Sequence, residues 1–266
     1  MSRNEYFAGL FLLGCANGLV ARGAGAVHRM GWMESVYETF GLSVIVLIAC
    51  GAGLWLTARG RQAAVKPADL AVGAVALVLI ALPLGGTSWL AVSGLAAYVL
   101  LLTEPDPSMR RGATILLAAT VPMLWSSLLF QYFANFILAI DASLVSSLLG
   151  TYRTGNMVRF ASDEGYLVIL PACSSLANMS LALLSWVTMS ELVEHRRSLD
   201  DLRWCGLACL SVVAINVGRM SLMGIDLDHY EALHSGVGDA AASALILAAT
   251  LGCSILGVRR ELFTRV

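Results

Sequence analysis

Charge is what this chain has least of. Asp, Glu, Lys and Arg make up 13% of its 266 residues, where a soluble domain carries roughly 25%. Hydrophobic residues reach 58% and the mean hydropathy is +0.77. So few charged groups cannot cover a soluble domain of this length, and a bundle of helices in lipid fits better. A net charge of −1 leaves no basic surplus to meet a phosphate backbone, so no nucleic-acid partner is expected. The chain also lacks an internal repeat, which weighs against the repeated halves common among transporters. Its six cysteines, at positions 15, 50, 173, 205, 209 and 253, lack the spacing of a four-ligand zinc site. No metal and no cofactor is expected.

What is present is a series of apolar runs of about 17–25 residues, the length that crosses a bilayer. Eight spans are expected, over about 6–21, 41–57, 68–84, 88–103, 113–131, 171–190, 204–222 and 239–257. Asn17 and three glycines dilute the first. A secretory signal over 1–26, with Ala24-Gly25-Ala26 as a cleavage region, is its rival; since other spans follow, an anchor helix serves equally well. Arg59, Arg61 and Lys66, then Arg110 and Arg111, then Arg196, Arg197 and Arg203, and finally Arg259, Arg260 and Arg265 fall in alternate loops. Basic loops stay on the cytoplasmic side, which puts both termini inside. Gly85-Gly86-Thr87, on the other side, is uncharged; Arg22, His28 and Arg29 are a mild exception there. The expected fold is an all-α membrane protein of about eight transmembrane helices, one integral membrane domain over 1–266. It comprises four N-terminal spans (1–112), a C-terminal region (113–257) and a cytoplasmic tail (258–266).

Two outer segments, about 132–170 and 223–238, are long enough to form a small extracytoplasmic cap. Ala134 to Leu149 has apolar residues at helical spacing with Asp141 and serines between them, the pattern of an amphipathic helix at the interface. Gly150 to Asn156 reads as a turn. Met157-Val158-Arg159-Phe160-Ala161 and Gly165 to Leu170 flank Ser162-Asp163-Glu164, which resembles a short hairpin. An ordinary structured loop is the alternative to a cap that serves a site.

That segment runs into Pro171-Ala172-Cys173-Ser174-Ser175-Leu176. A thiol opening a helix meets free backbone N–H groups and the positive end of the dipole, which acidify it. Cys15, Cys50 and Cys253 lie inside apolar spans and read as packing residues. Cys205 and Cys209, four apart on one helix, read the same way. Arg219, in Asn216-Val217-Gly218-Arg219, sits near the outer end of the seventh span, where a charge faces a cavity or partner or else snorkels to headgroups. His234 lies in the following loop. His229 there, with Asp226, Asp228, Glu231 and Asp239, makes a metal site conceivable, although a solvated acidic loop is the commoner outcome. Cys173, Arg219 and His234 all fall on the outer face. A Cys/His pair generates a thiolate, and an arginine can hold the oxyanion of a tetrahedral intermediate.

Ala172-Cys173-Ser174, Asn216-x-x-Arg219, and His234 with Gly238 ahead of the last span resemble the exosortase/archaeosortase family of multi-span membrane cysteine transpeptidases. The resemblance covers about 113–257; the first four spans match only as generic apolar helices. Where the family commonly has glycine after Cys-Ser, this chain has Ser175. The resemblance implies a membrane-embedded enzyme of the bacterial inner membrane that cleaves C-terminal sorting signals of exported proteins, in an envelope or exopolysaccharide context. Such a signal is a short motif often containing Pro-Glu-Pro, a transmembrane helix and a basic cluster. Cys173 would form a thioester, His234 would handle the proton, and Arg219 would stabilise the oxyanion or orient the substrate. Ser174, Ser175 and Asn216 would support the site or bind substrate. The partners implied are that membrane-tethered substrate and the lipid bilayer. The alternative is a non-enzymatic transporter or a scaffold for envelope polysaccharide export. A membrane thiol oxidoreductase would need a second outer cysteine, which this reading does not supply.

Overall fold

A computed structural model describes residues 1–37, 39–59, 63–83, 86–195, 198–234 and 236–264. It is almost entirely helical. In chain order the elements are α1 (Arg3–Met30), α2 (Trp32–Tyr37), α3 (Val44–Ala58), α4 (Pro67–Ala81), α5 (Thr87–Leu101), α6 (Pro107–Thr120) and α7 (Ser126–Leu149). Three short strands follow: β1 (Arg153–Thr154), β2 (Met157–Arg159) and β3 (Tyr166–Val168). The chain ends with α8 (Ser175–Leu192), α9 (Leu199–Met223), α10 (Leu227–His234) and α11 (Gly236–Thr264). A π turn over Val121–Trp125 separates α6 from α7. Pro122 sits in it, and a residue without an N–H cannot continue the i→i−4 ladder.

Among the described residues, four helical stretches are long and apolar enough to cross a membrane: Arg3–Met30, Pro107–Leu149, Leu199–Met223 and Gly236–Arg259. Helices α3, α4 and α5 are apolar but have 15 residues each. At 1.5 Å per residue, such a helix rises roughly 22 Å, short of a hydrocarbon core of about 30 Å. Length and composition therefore do not confirm the expected total of eight spans. Arg61, Gly85, Arg196, Arg197 and Arg265, which bear on the orientation, lie outside the described residues, as does the side chain of Arg260.

Many large apolar side chains face outward, and several polar groups are buried beside the apolar core. Leu12, Leu47, Ile48, Trp55, Val75 and Val78 are exposed, while Arg3, Asn4, Asp69, Asp141 and Asn216 are buried. Charged groups inside apolar helices face protein partners rather than lipid.

The chain divides into two compact units, Met1–Trp125 with Val187–His195, and Ser126–Trp186 with Arg196–Val266. In the first, the helix ends are joined by buried polar contacts. The Arg3 guanidinium grips Asp69 with two bonds, Nε to Oδ2 at 2.8 Å and Nη2 to Oδ1 at 2.9 Å. The Tyr98 hydroxyl and the Lys66 N–H donate to the same carboxylate, each at 2.9 Å. Asn4 donates to the Thr57 carbonyl at 3.1 Å and to Asp106 at 2.8 Å. Asp106 in turn caps α6 through the N–H groups of Ser108 and Met109. Helices α1, α3, α4, α5 and α6 are thus tied at one end. Helices α3 and α6 approach closely because Gly112 faces Gly53: a methyl at Gly112 would stand 2.5 Å from the Gly53 carbonyl oxygen.

In the second unit the strands form an antiparallel sheet in the order β1-β2-β3, with Met157 opposite Val168, Val158 opposite Leu167 and Arg159 opposite Tyr166. The expected hairpin is present, with one more short strand at its edge. Side chains alternate across a strand, so Val158 and Leu167 point inward with Phe160 and Ile169. They pack on Leu138, Ala142 and Val145 of α7 and on Val217, Met220 and Met223 of α9. The Ala161 and Ser162 N–H groups also donate to the carbonyls of Gly224 and Ile225, fixing the sheet to the end of α9.

Ala134 to Leu149 is helical as expected, but as the second part of α7, after a non-helical residue at Phe133. One apolar face is left uncovered, and the polar positions between are turned into the unit. Asp141 and Ser146 are buried, and Phe136, Ile140, Leu144 and Leu148, four apart, are exposed. The reason is local: Asp141 has a partner inside the unit.

Candidate functional site

Cys173 is delivered by the sheet. After β3, the Ile169 N–H donates to the Asn156 carbonyl at 2.9 Å, and the Asn156 side chain donates to the Ile169 carbonyl at 2.8 Å. The strand exit is therefore held on both sides. Pro171 opens a 3-10 turn over Pro171–Cys173, in which the Cys173 N–H donates to the Leu170 carbonyl at 2.9 Å. Cys173 is half-buried and packs against the apolar cluster under the sheet.

Helix α8 begins after this turn, at Ser175, and its first amides are not free. The Ser175 N–H donates to Asp141 Oδ2 at 3.1 Å, and the Leu176 N–H donates to Ser174 Oγ at 3.3 Å. The Ser174 hydroxyl completes the cap by donating to Asp141 Oδ2 at 2.8 Å. This corrects the expectation of a thiol at an open helix N-terminus. The thiol precedes the helix, and the Ser175 amide is already taken by a carboxylate from α7 and the Leu176 amide by Ser174 Oγ. Ser174, fully buried, uses its hydroxyl as both donor and acceptor. Both bonds hold the turn in place.

Asn216 grips the same turn from α9. Its Nδ2 donates to the Cys173 carbonyl at 2.7 Å and to Ser175 Oγ at 3.1 Å, spending both amide hydrogens. Ser175, the residue standing where the resembled family has glycine, therefore has a partner of its own.

One turn further along α9, Arg219 engages the next two helices. Its Nη2 lies 2.8 Å from Asp239 Oδ1 in the first turn of α11, and donates to the Leu233 carbonyl on α10 at 3.3 Å. The side chain is 15% exposed, so Arg219 is bound within the protein rather than snorkelling outward. Its Nε is buried and, among the described residues, has no hydrogen-bond partner.

His234 is the last residue of α10 and is exposed, stacked on Tyr230 with ring centroids 5.1 Å apart and planes 17° from parallel. Tyr230 and Leu233 pack against the same apolar cluster as Cys173. At the other end of α10, Asp226 acts as N-cap. Its Oδ1 accepts from the His229 N–H at 2.9 Å and stands 2.8 Å from His229 Nδ1. The His229 N–H, then its ring, hold the Asp226 carboxyl below the usual carboxylate range. Gly238 lets α10 turn into α11: a Cβ there would stand 2.6 Å from the Leu233 Cα and carbonyl oxygen.

Cys173, Ser174, Ser175 and Asn216 thus form one hydrogen-bonded assembly, and Arg219 joins it through α9. His234 shares the neighbourhood through Tyr230 and Leu233; among the described residues no hydrogen bond or ion pair joins it to Cys173. Three residues entered the site unforeseen as partners: Asp141, Tyr230 and Asp239. Asp141 carried a signal, as the lone acid in the apolar stretch from Ala134 to Leu149. No family model, no curated protein and no solved structure matches the chain.

Proposed function

We propose that this chain is a membrane-embedded cysteine endopeptidase or transpeptidase that cleaves the C-terminal sorting signals of exported proteins, as the exosortase/archaeosortase family it resembles does. One observation carries the reading. The Cys-Ser-Ser segment and the Asn-x-x-Arg segment, far apart in sequence, are hydrogen-bonded through Asn216 to the Cys173 carbonyl and to Ser175 Oγ. Two of the three segments that carry the resemblance are therefore neighbours in space.

In this reading the chain crosses the bacterial inner membrane eight times, with both termini cytoplasmic and Cys173 on the outer face. Cys173 Sγ attacks the scissile carbonyl carbon. His234 takes the thiol proton and passes it to the leaving nitrogen as the C–N bond breaks, leaving a thioester on Sγ. Water or an acceptor nucleophile then attacks the thioester, and the proton returns to Sγ. Arg219 lies on the Asn216 face of α9, where its unspent Nε–H serves the oxyanion or the substrate backbone.

The test is a reporter protein carrying a C-terminal Pro-Glu-Pro motif, an apolar helix and an arginine cluster, co-expressed with the chain. Cleavage that disappears with Cys173→Ala, at unchanged protein level, supports the proposal. Full processing by Cys173→Ala removes the nucleophile assignment.

A further inference from the structure

The turn that bears Cys173 is held from two sides, and only one of them belongs to the motif residues. Asn216 holds it from α9. From α7, Asp141 holds Ser174 and Ser175 through a single oxygen, Oδ2, at 2.8 and 3.1 Å. Asp141 is 4% exposed. A carboxylate buried to that degree in an apolar helix is costly unless its acceptors are met, and here the groups that meet it are the two residues following the cysteine. The bonds also interlock. Because the Ser174 hydroxyl gives its hydrogen to Asp141, its lone pair faces the Leu176 N–H. Because the Ser175 N–H is held by Asp141, the Ser175 side chain is directed at Asn216. Fixing residues 174 and 175 fixes the backbone at 173.

From this geometry we infer that Asp141 is a positioning residue for the Cys173 thiol, an inference that rests on the reading of Cys173 as the nucleophile. It touches neither the thiol nor a substrate. It acts by locking the turn between β3 and α8, so that Sγ is presented at one place against the apolar cluster formed by α7, α9 and the sheet. Both of its bonds arrive at one oxygen, so the function requires a correctly placed acceptor rather than a negative charge. An asparagine with its amide oxygen at the Oδ2 position supplies the same acceptor. A glutamate keeps the charge but moves the acceptor by one methylene.

The experiment compares Asp141→Asn, Asp141→Glu and Asp141→Ala in the full chain in native membranes. The first readout is the rate of Cys173 alkylation by N-ethylmaleimide, followed by mass spectrometry of the Cys173 peptide. Asp141→Asn stays within about twofold of the unmodified chain, while Asp141→Glu and Asp141→Ala, their turns released, react about tenfold faster. The second readout is steady-state cleavage of the reporter. Asp141→Glu and Asp141→Ala lose about 100-fold in kcat with KM retained, the cost of misplacing a reacting group by about 1 Å, and Asp141→Asn keeps its kcat. Where Asp141→Ala fails to accumulate, the Asn and Glu variants carry the comparison. Equal alkylation of all variants overturns the inference, as does loss of kcat in Asp141→Asn equal to that in Asp141→Ala. If alkylation follows the expected order but Cys173→Ala still cleaves the reporter, or the unmodified chain does not, the proposed function fails and the positioning of the turn stands.

Discussion

Replacing Asn216 with alanine removes the clasp between α9 and the Cys173 turn while leaving α9 itself intact, since alanine is the best helix former. The residue is 2% exposed, so water does not replace what is lost. Two bonds disappear, to the Cys173 carbonyl at 2.7 Å and to Ser175 Oγ at 3.1 Å. A buried acceptor left without a partner costs about 1–3 kcal/mol, and an ordinary hydrogen bond contributes about 0.5–1.5 kcal/mol net. The Cys173 carbonyl, on a half-buried residue, falls at the lower end of the first class, and the Ser175 hydroxyl, which can rotate, in the second. Their sum is about 2 kcal/mol. At about 2–4 °C per kcal/mol for a chain of this size, the unfolding midpoint falls by about 4–8 °C. Thermal unfolding of detergent-solubilised protein, read by intrinsic tryptophan fluorescence, measures it. Reporter cleavage by Asn216→Ala falls about 100-fold below the unmodified chain, because the turn is released from the motif side. A midpoint within about 1 °C of the unmodified chain, with undiminished cleavage, would refute the reasoning from burial and hydrogen bonding.

The same structure makes three other predictions. Gly238→Ala places a methyl group 2.6 Å from the Leu233 backbone; overpacking against atoms that cannot rotate away costs about 1–3 kcal/mol, seen as a lower unfolding midpoint and faster proteolysis at the α10–α11 turn. Asp69→Leu strands the Arg3 guanidinium, which is 5% exposed; breaking a buried pair from one side costs about 3–5 kcal/mol, and the variant accumulates poorly unless Arg3 is also replaced by methionine. The Asp226 carboxyl, held below its usual range by the His229 N–H and ring, stabilises α10 above the unfolded carboxyl value of about 4 and ceases to do so as pH falls through its lower folded value. Amide exchange over Leu227–His234, relative to its intrinsic rate, therefore accelerates below about pH 4, and in Asp226→Asn, whose amide oxygen still accepts from the His229 N–H, that pH dependence is lost.

How far the sequence foretold the molecule depends on how local the cause was. The β2–β3 hairpin was legible because its alternation and its Ser162-Asp163-Glu164 turn lie within one short window. The helical character followed from apolar runs, but the span lengths did not, since α3, α4 and α5 stop at 15 residues. Cys173, Ser175 and Asn216 were foreseen, and they meet. The state of the helix start was not, because its cap is Asp141, a residue whose setting read as the polar side of an interfacial helix. The four N-terminal spans read as generic apolar helices. The Arg3–Asp69–Tyr98 contact makes that end specific, and it joins residues too distant in sequence for any periodicity to link them. Arg219 was legible as a charge with a purpose, whereas its pairing with Asp239 depended on the turn that Gly238 permits.

The central claim is that Cys173 carries a covalent intermediate, and trapping that intermediate tests it most directly. With the reporter present, rapid acid quenching and mass spectrometry of the Cys173 peptide should find it acylated by the reporter's newly formed carboxyl terminus. The adduct should be released by hydroxylamine and absent from Cys173→Ala. Cleavage of the reporter with Cys173 unmodified at every time point, and undiminished in Cys173→Ala, would contradict the account.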